Sequence, residues 1–187
     1  MSARRKAKSQ PHAPATVARA ELLVDDTDAT FRHFIHGWLA FSERVIAVRD
    51  GFGELIGLSG IQYSVLVSIA HLQERGKVSV SGVAAHLHFS GAFITTVTNQ
   101  LERLGLVRKT RSEEDRRRID LVTTPKADQL LERLAPMQQQ VNDELFAPLT
   151  RAQFIELAER MDALVAAGDN AVGLLGYLRA ARKPASA

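Results

Sequence analysis

From Thr27 to Asp50 apolar residues return every three or four positions (Phe31, Phe34, Ile35, Trp38, Leu39, Phe41, Val45 and Val48), which predicts one long helix with a broad aromatic face. Asp25, Asp26 and Asp28 cluster where carboxylates complement the helix dipole, and Gly51 suits its end. The run Gly51-Phe52-Gly53-Glu54-Leu55-Ile56-Gly57 mimics a dinucleotide loop. Its third glycine falls one residue late and a helix precedes it, so it reads as a connector. Ser59 and Gln62 form a capping box that starts a second helix at residue 59 or 60, running to about Glu74 with Ile61, Val65, Leu66, Ile69 and Leu72 inward.

Beyond Gly76 the rhythm shortens. Val78 is one extended step and Ser79 caps a two-turn helix carrying Val80, Val83, Ala84 and Leu87. His88-Phe89 makes a tight turn, and Ser90 caps a longer helix with Ile94, Val97, Leu101 and Leu104 inward. Short helix, turn, longer helix is the helix-turn-helix pattern. Residues 106–111 and 117–123 are β-competent and enclose Ser112-Glu113-Glu114-Asp115-Arg116, a hairpin with a charged tip. Thr124-Pro125 then starts a helix with Leu130, Leu134, Met137, Val141 and Leu145 on one stripe and a bend expected at Pro136. Thr150 and Gln153 form a second capping box, followed by Phe154, Leu157, Met161 and Leu164 at heptad-like spacing. A separate short helix with Leu174, Leu175 and Leu178 is expected beyond Gly168.

Composition narrows the function classes. Of 187 residues, 45% are hydrophobic and 24% charged, an ordinary globular balance. The apolar runs, such as Trp38 to Phe41, fall far short of the roughly 20 residues a spanning helix needs. No apolar stretch follows the basic start as a secretory signal requires, so a soluble cytoplasmic chain is expected. The absence of cysteine removes disulfides, thiolate nucleophiles and zinc–thiolate sites. No nucleophile elbow, phosphate loop or His-Glu-x-x-His helix is present, which argues against an enzyme and implies no cofactor.

The net charge is only +3, yet residues 1–19 contribute +5 and residues 103–118 contribute +4, leaving −6 for everything else. That polarisation is the electrostatic footprint of nucleic-acid binding. With 94, 97, 101 and 104 inward, the second helix of the pair presents Gly91, Ala92, Phe93, Thr95, Thr96, Asn99, Gln100 and Arg103 outward. Asn and Gln can pair bidentately with adenine, threonine and Phe93 can meet thymine methyls, and Ser79 and Ser90 stand at helix starts where phosphate binds.

The order of elements from about Thr27 to Ala167 resembles the MarR family of bacterial winged-helix transcriptional regulators. The resemblance rests on Gln100-Leu101-Glu102-Arg103-Leu104-Gly105-Leu106-Val107, on Glu114-Asp115-Arg116-Arg117-Arg118-Ile119, and on Thr124-Pro125. It implies a mostly α fold with a small β-hairpin wing: a disordered basic tail (1–22), an N-terminal dimerisation helix with its connector (23–57), a winged helix-turn-helix domain (58–123), C-terminal dimerisation helices (124–183) and a disordered tail (184–187). It also implies that Asp115 pairs with Arg117 to shape the wing while one of Arg116, Arg117 and Arg118 enters the minor groove of double-stranded DNA. Thr96 and Gln100 stand where many members carry arginine, which moves the expected affinity toward the wing and the basic tail. A homodimer reading an inverted repeat with half-sites about 10 bp apart follows from such a resemblance. So does a repressor released by a small aromatic acid, with Arg32, His36, Trp38 and Tyr63 as candidate contacts.

Three alternatives stand beside this reading. A zinc-responsive regulator of the same fold would draw on His33 and His36, one turn apart, with carboxylates such as Glu43 or Asp50. A winged-helix protein-interaction module would make no use of the basic wing. An enzyme is the third class, for which the sequence offers no motif.

Overall fold

The computed structural model describes residues 14–112 and 118–182, in two units that fall within Met1–Leu134 and Ala135–Ala187. In the first unit a single 3-10 turn at Ala20–Leu22 precedes α1 (Ala29–Leu55), α2 (Gly60–Gln73), β1 (Val78–Ser79), α3 (Val80–Leu87), α4 (Gly91–Arg103), β2 (Val107–Arg111) and β3 (Ile119–Thr123). Helix α5 (Pro125–Phe146) begins in this unit and ends in the second, which also holds α6 (Arg151–Ala181).

The local signals act where their chemistry places them. Both halves of the Ser59–Gln62 and Thr150–Gln153 capping boxes form, each satisfying helix-start amides that would otherwise lack partners. Thr124 Oγ1 accepts from the Ala127 amide and donates to the Gly105 carbonyl at 2.7 Å, so the Thr-Pro start also ties α5 to the end of α4. The first helix runs longer than its sequence punctuation predicts. Gly51 and Gly53 lie inside α1, and the chain turns at Gly57, whose φ of +73° suits glycine. There the Leu58 amide bonds Gly53 O and the Gly57 amide bonds Glu54 O, a Schellman end. The same motif ends α4 at Gly105 (φ +71°), where Leu106 bonds Leu101 O. Because α4 stops at Arg103, Leu104 leaves the inward stripe and is 42% exposed, while Leu106 is buried instead.

The sheet has three strands, in the order β1-β3-β2, all antiparallel. Val107 to Arg111 pair with Thr123 to Ile119, and the two-residue β1 adds Val78 and Ser79 opposite Leu121 and Asp120. Beyond β1 the Thr123 amide donates to Gln73 Oε1, so a side-chain amide from the end of α2 takes the place of a strand partner. The main core gathers Leu66, Ile69, Val83, Ile94, Leu101 and Leu121 from α2, α3, α4 and β3. Thr98, fully buried on α4, keeps its hydroxyl satisfied by donating to Ile94 O at 2.8 Å. A smaller cluster holds Phe52, Tyr63 and Leu134.

In the second unit α6 runs without a break through Gly168 rather than ending there. A lone glycine costs only about 1 kcal/mol inside an alanine-rich helix. No residue of α6 is buried.

Candidate nucleic-acid interface

Helices α3 and α4 meet at 114°, within the range of helix-turn-helix pairs. The turn uses His88 in the left-handed region (φ 55°), with the Phe89 amide on Ala84 O at 3.0 Å. Ser90 then accepts from the Phe93 amide and starts α4. Since Ile94, Val97, Thr98 and Leu101 are buried, the outer face of α4 is left with Gly91, Ala92, Phe93, Thr95, Thr96, Asn99 and Arg103, all exposed, and a half-buried Gln100. Phe93 and Phe89, 41% and 42% exposed, pack ring to ring at 5.1 Å and form an apolar knob at the start of the helix. The hydroxyl of Thr95 donates to Gly91 O at 2.8 Å and that of Thr96 to Ala92 O at 3.2 Å, so both protons are used within the helix.

The hairpin lies directly against this face. Lys109, on β2, donates from Nζ to Asn99 Oδ1 and ties the wing to α4. Burial holds the Lys109 amine below its ordinary value, opposed by the nearby Glu102 carboxylate. The hairpin closes with the Ser112 amide on Arg118 O, and the Arg118 guanidinium stands 3.5 Å from Asp120 Oδ1. Asp115, Arg116 and Arg117 lie outside the described residues.

Two of the sequence-derived contact residues are tied back into the fold. Ser79 is 4% exposed and its hydroxyl accepts from the Gly82 amide, so it caps α3 inside the fold. Gln100 Oε1 accepts from Gln62 Nε2 at 3.0 Å, an α2–α4 bond that spacing along the chain does not reveal.

The residues considered for a small ligand lie on α1 (Arg32, His36 and Trp38) and on α2 (Tyr63). Arg32 pairs with the buried Asp28 at 2.9 Å. Asp28 also accepts from the Thr16 amide (2.8 Å) and hydroxyl (2.9 Å), so its carboxylate secures the segment before α1 instead of capping the helix. Asp25 and Asp26 occupy left-handed turn positions. Trp38, half-buried, lies 5.8 Å from the ring of Phe34, and His36 is exposed. Tyr63 is buried against Phe52. Clefts are present beside the sheet, lined by Gln73, Lys77, Thr110 and Asp120, and near Phe146 and Phe154 in the second unit. Arg32, His36, Trp38 and Tyr63 line neither. Among the described residues no three His, Asp or Glu side chains gather to hold a metal ion, and no single helix is long and apolar enough to cross a membrane.

Comparison with known proteins agrees with this geometry. The family model described as MarR family matches residues 56–118. The HTH-type transcriptional regulator PapX of Escherichia coli is 30% identical over 105 residues, 55% of this chain and 64% of PapX. The HTH-type transcriptional repressor MdtR of Bacillus subtilis is 25% identical over 99 residues, 53% of this chain and 64% of MdtR. Each match thus spans somewhat less than two thirds of the relative's length. Among solved structures, the transcriptional regulator BldR from Sulfolobus solfataricus superposes with a TM-score of 0.61 at 22% identity, over 73% of this chain and 95% of BldR. A mutant MarR from E. coli complexed with operator DNA gives 0.59 at 16% identity, over 73% and 94%. BpsR of Bordetella bronchiseptica, whose DNA binding is regulated by 6-hydroxynicotinic acid, gives 0.58 at 20%, over 71% and 98%.

Proposed function

We propose that this chain, which is similar to the MarR family over residues 56–118, is a transcriptional regulator that binds double-stranded DNA sequence-specifically as a homodimer. The observation that carries the proposal is the open face of α4, closed into the core on its other side and joined to the basic hairpin through Lys109 and Asn99. A helix of this width enters the major groove, while bases on a flanking loop neutralise phosphates and set register. Ala92, Phe93, Thr95, Thr96, Asn99, Gln100 and Arg103 are the groove-facing set, Ser90 and Gly91 meet phosphate at the helix start, and Arg116, Arg117 and Arg118 serve the wing around Asp115.

The dimer reading is supported by apolar surface that the described chain leaves uncovered. Helix α1 exposes Phe34, Ile35, Leu39, Val45 and Ile46, and α6 exposes Phe154, Ile155, Leu164, Val165, Leu174 and Leu178. A two-fold dimer calls for an inverted-repeat operator. Repression is the sense suggested by the name of MdtR, and release by a small aromatic acid is suggested by BpsR. In this chain Trp38 and His36 remain the candidate contacts, and Arg32 would have to leave Asp28 to join them.

Enrichment of duplexes from a random library, followed by binding measured against salt, tests the proposal. It predicts an enriched palindromic sequence whose log affinity falls linearly with log salt, with a slope of about −0.9 per phosphate contacted. Failure to enrich any sequence contradicts it.

A further inference from the structure

An amide on a DNA-reading helix carries a donor and an acceptor, and the end facing the groove decides which base edge it accepts. Both amides in the C-terminal half of α4 have their oxygen engaged by a donor from a neighbouring element. Lys109 Nζ donates to Asn99 Oδ1, and an ammonium has donors only, so the oxygen of Asn99 is held toward the hairpin and its NH2 is turned away. Gln100 is fixed one step further back. The Ser59 backbone amide donates to Gln62 Oε1 at 2.9 Å, as half of the capping box. A backbone amide can only donate, so Gln62 must present Nε2 to its other neighbour, where it donates to Gln100 Oε1 at 3.0 Å. The free end of Gln100 is then its own NH2.

We propose that α4 reads DNA through pre-oriented amide donors at Asn99 and Gln100, selecting base edges that offer acceptors, guanine N7 and O6 foremost. The bidentate pairing of an amide with adenine is thereby disfavoured, because it needs the side-chain oxygen to face the adenine amino group. Turning Asn99 over would set its NH2 against the Lys109 ammonium, and turning Gln100 over would set it against Gln62 Nε2. Lys109 and Gln62 act as positioning residues: they choose the polarity of the reading face without supplying it. This inference rests on the reading of α4 as a recognition helix.

The test is duplex selection with the full chain, followed by affinity measurements on single-base variants of the enriched site. Loss of preference in Asn99→Ala and Gln100→Ala first identifies the base pair each side chain faces. In the wild type those pairs are expected to prefer guanine over adenine by roughly tenfold, the scale of one good amide–base pairing. Gln62→Glu keeps an oxygen for the Ser59 amide but offers only acceptors to Gln100, so the Gln100 NH2 turns inward. Preference at its base pair then inverts toward the amino-bearing edges of adenine or cytosine. Lys109→Met frees Asn99 to turn and removes its discrimination. Adenine preferred opposite Asn99 in the wild type, or preferences unmoved by both variants, overturns the inference while sequence-selective binding survives. If the wild type enriches no sequence, the recognition-helix reading itself falls, and this inference with it.

Discussion

Helices α4 and α6 start alike and end differently. Each begins at a hydroxyl cap, Ser90 or Thr150, that accepts from the third helical amide. In α4 Ile94, Val97 and Leu101 are buried, and what stays outside is threonine, asparagine and arginine beside the apolar knob of Phe93. In α6 nothing is buried, and Phe154, Leu164, Val172, Leu174, Tyr177 and Leu178 remain exposed. Amphipathicity that is satisfied within the chain leaves a polar surface shaped by its neighbours, as the Lys109–Asn99 and Gln62–Gln100 bonds show. Apolar side chains left exposed along 31 residues are the surface that the proposed dimer would cover, since isolated helices gain most of their stability from packing.

The sharpest way to break this contrast is to truncate one apolar residue in each helix. Leu101→Ala removes a fully buried side chain and is expected to destabilise the winged domain by about 2–5 kcal/mol in denaturant titrations. Leu174→Ala, at an exposed position, should change unfolding of that domain by less than about 0.5 kcal/mol. Equal losses would erase the distinction. The next largest effect is expected from Leu174→Glu combined with Leu178→Glu. Sedimentation should then report half the wild-type mass while circular dichroism of the winged domain is retained. Unchanged mass would mean that α6 is not the interface.

Smaller still are the charge effects on the other side of the comparison. Arg118→Ala should weaken duplex binding several-fold and reduce the salt slope by about 1, uniformly across sequences. A change confined to one base pair would instead assign that arginine to base reading. The mildest expected effect concerns Asp28. Its carboxyl is held below the ordinary aspartate value of 3.8 chiefly by the Thr16 amide; burial works in the opposite sense, and the Thr16 hydroxyl and Arg32 add to the lowering. A carboxyl depressed in the folded state contributes stability that is fully present above 3.8 and is lost as pH falls through the lower folded value. Hydrogen-exchange protection of the Thr16 amide should therefore begin to weaken only as pH falls below 3.8 and be lost at still lower pH, and in Asp28→Asn it should be weak even at neutral pH. Protection independent of pH would show that the carboxylate does not hold this segment.

What was legible in the sequence was what neighbouring residues decide together. Ser59 with Gln62, Thr150 with Gln153, and Thr124 with Pro125 each set a helix start through contacts three residues apart, and all three stand where the pattern puts them. The helix-turn-helix and the hairpin were readable for the same reason, since their apolar periods and turns are local. Ends governed by competition were not: Gly51 and Gly53 are absorbed into α1 and Gly168 into α6 because a single glycine is only a weak interruption. The two-residue β1 is too short to show a period, yet it completes the sheet. At the reading face the identities were legible but the orientations were not, because Asn99 is fixed from 10 residues away and Gln100 from 38. Arg32 with Asp28 is the exception, an i,i+4 pair at a helix start whose spacing alone carries the signal.

The central claim, that two copies of this winged helix read DNA together, is met most directly by a hydroxyl-radical footprint on the enriched duplex. The account predicts two protected segments related by a two-fold axis, centred about 10 bp apart on one face of the helix and lost together as salt rises. Protection of one isolated half-site by a monomer would contradict it.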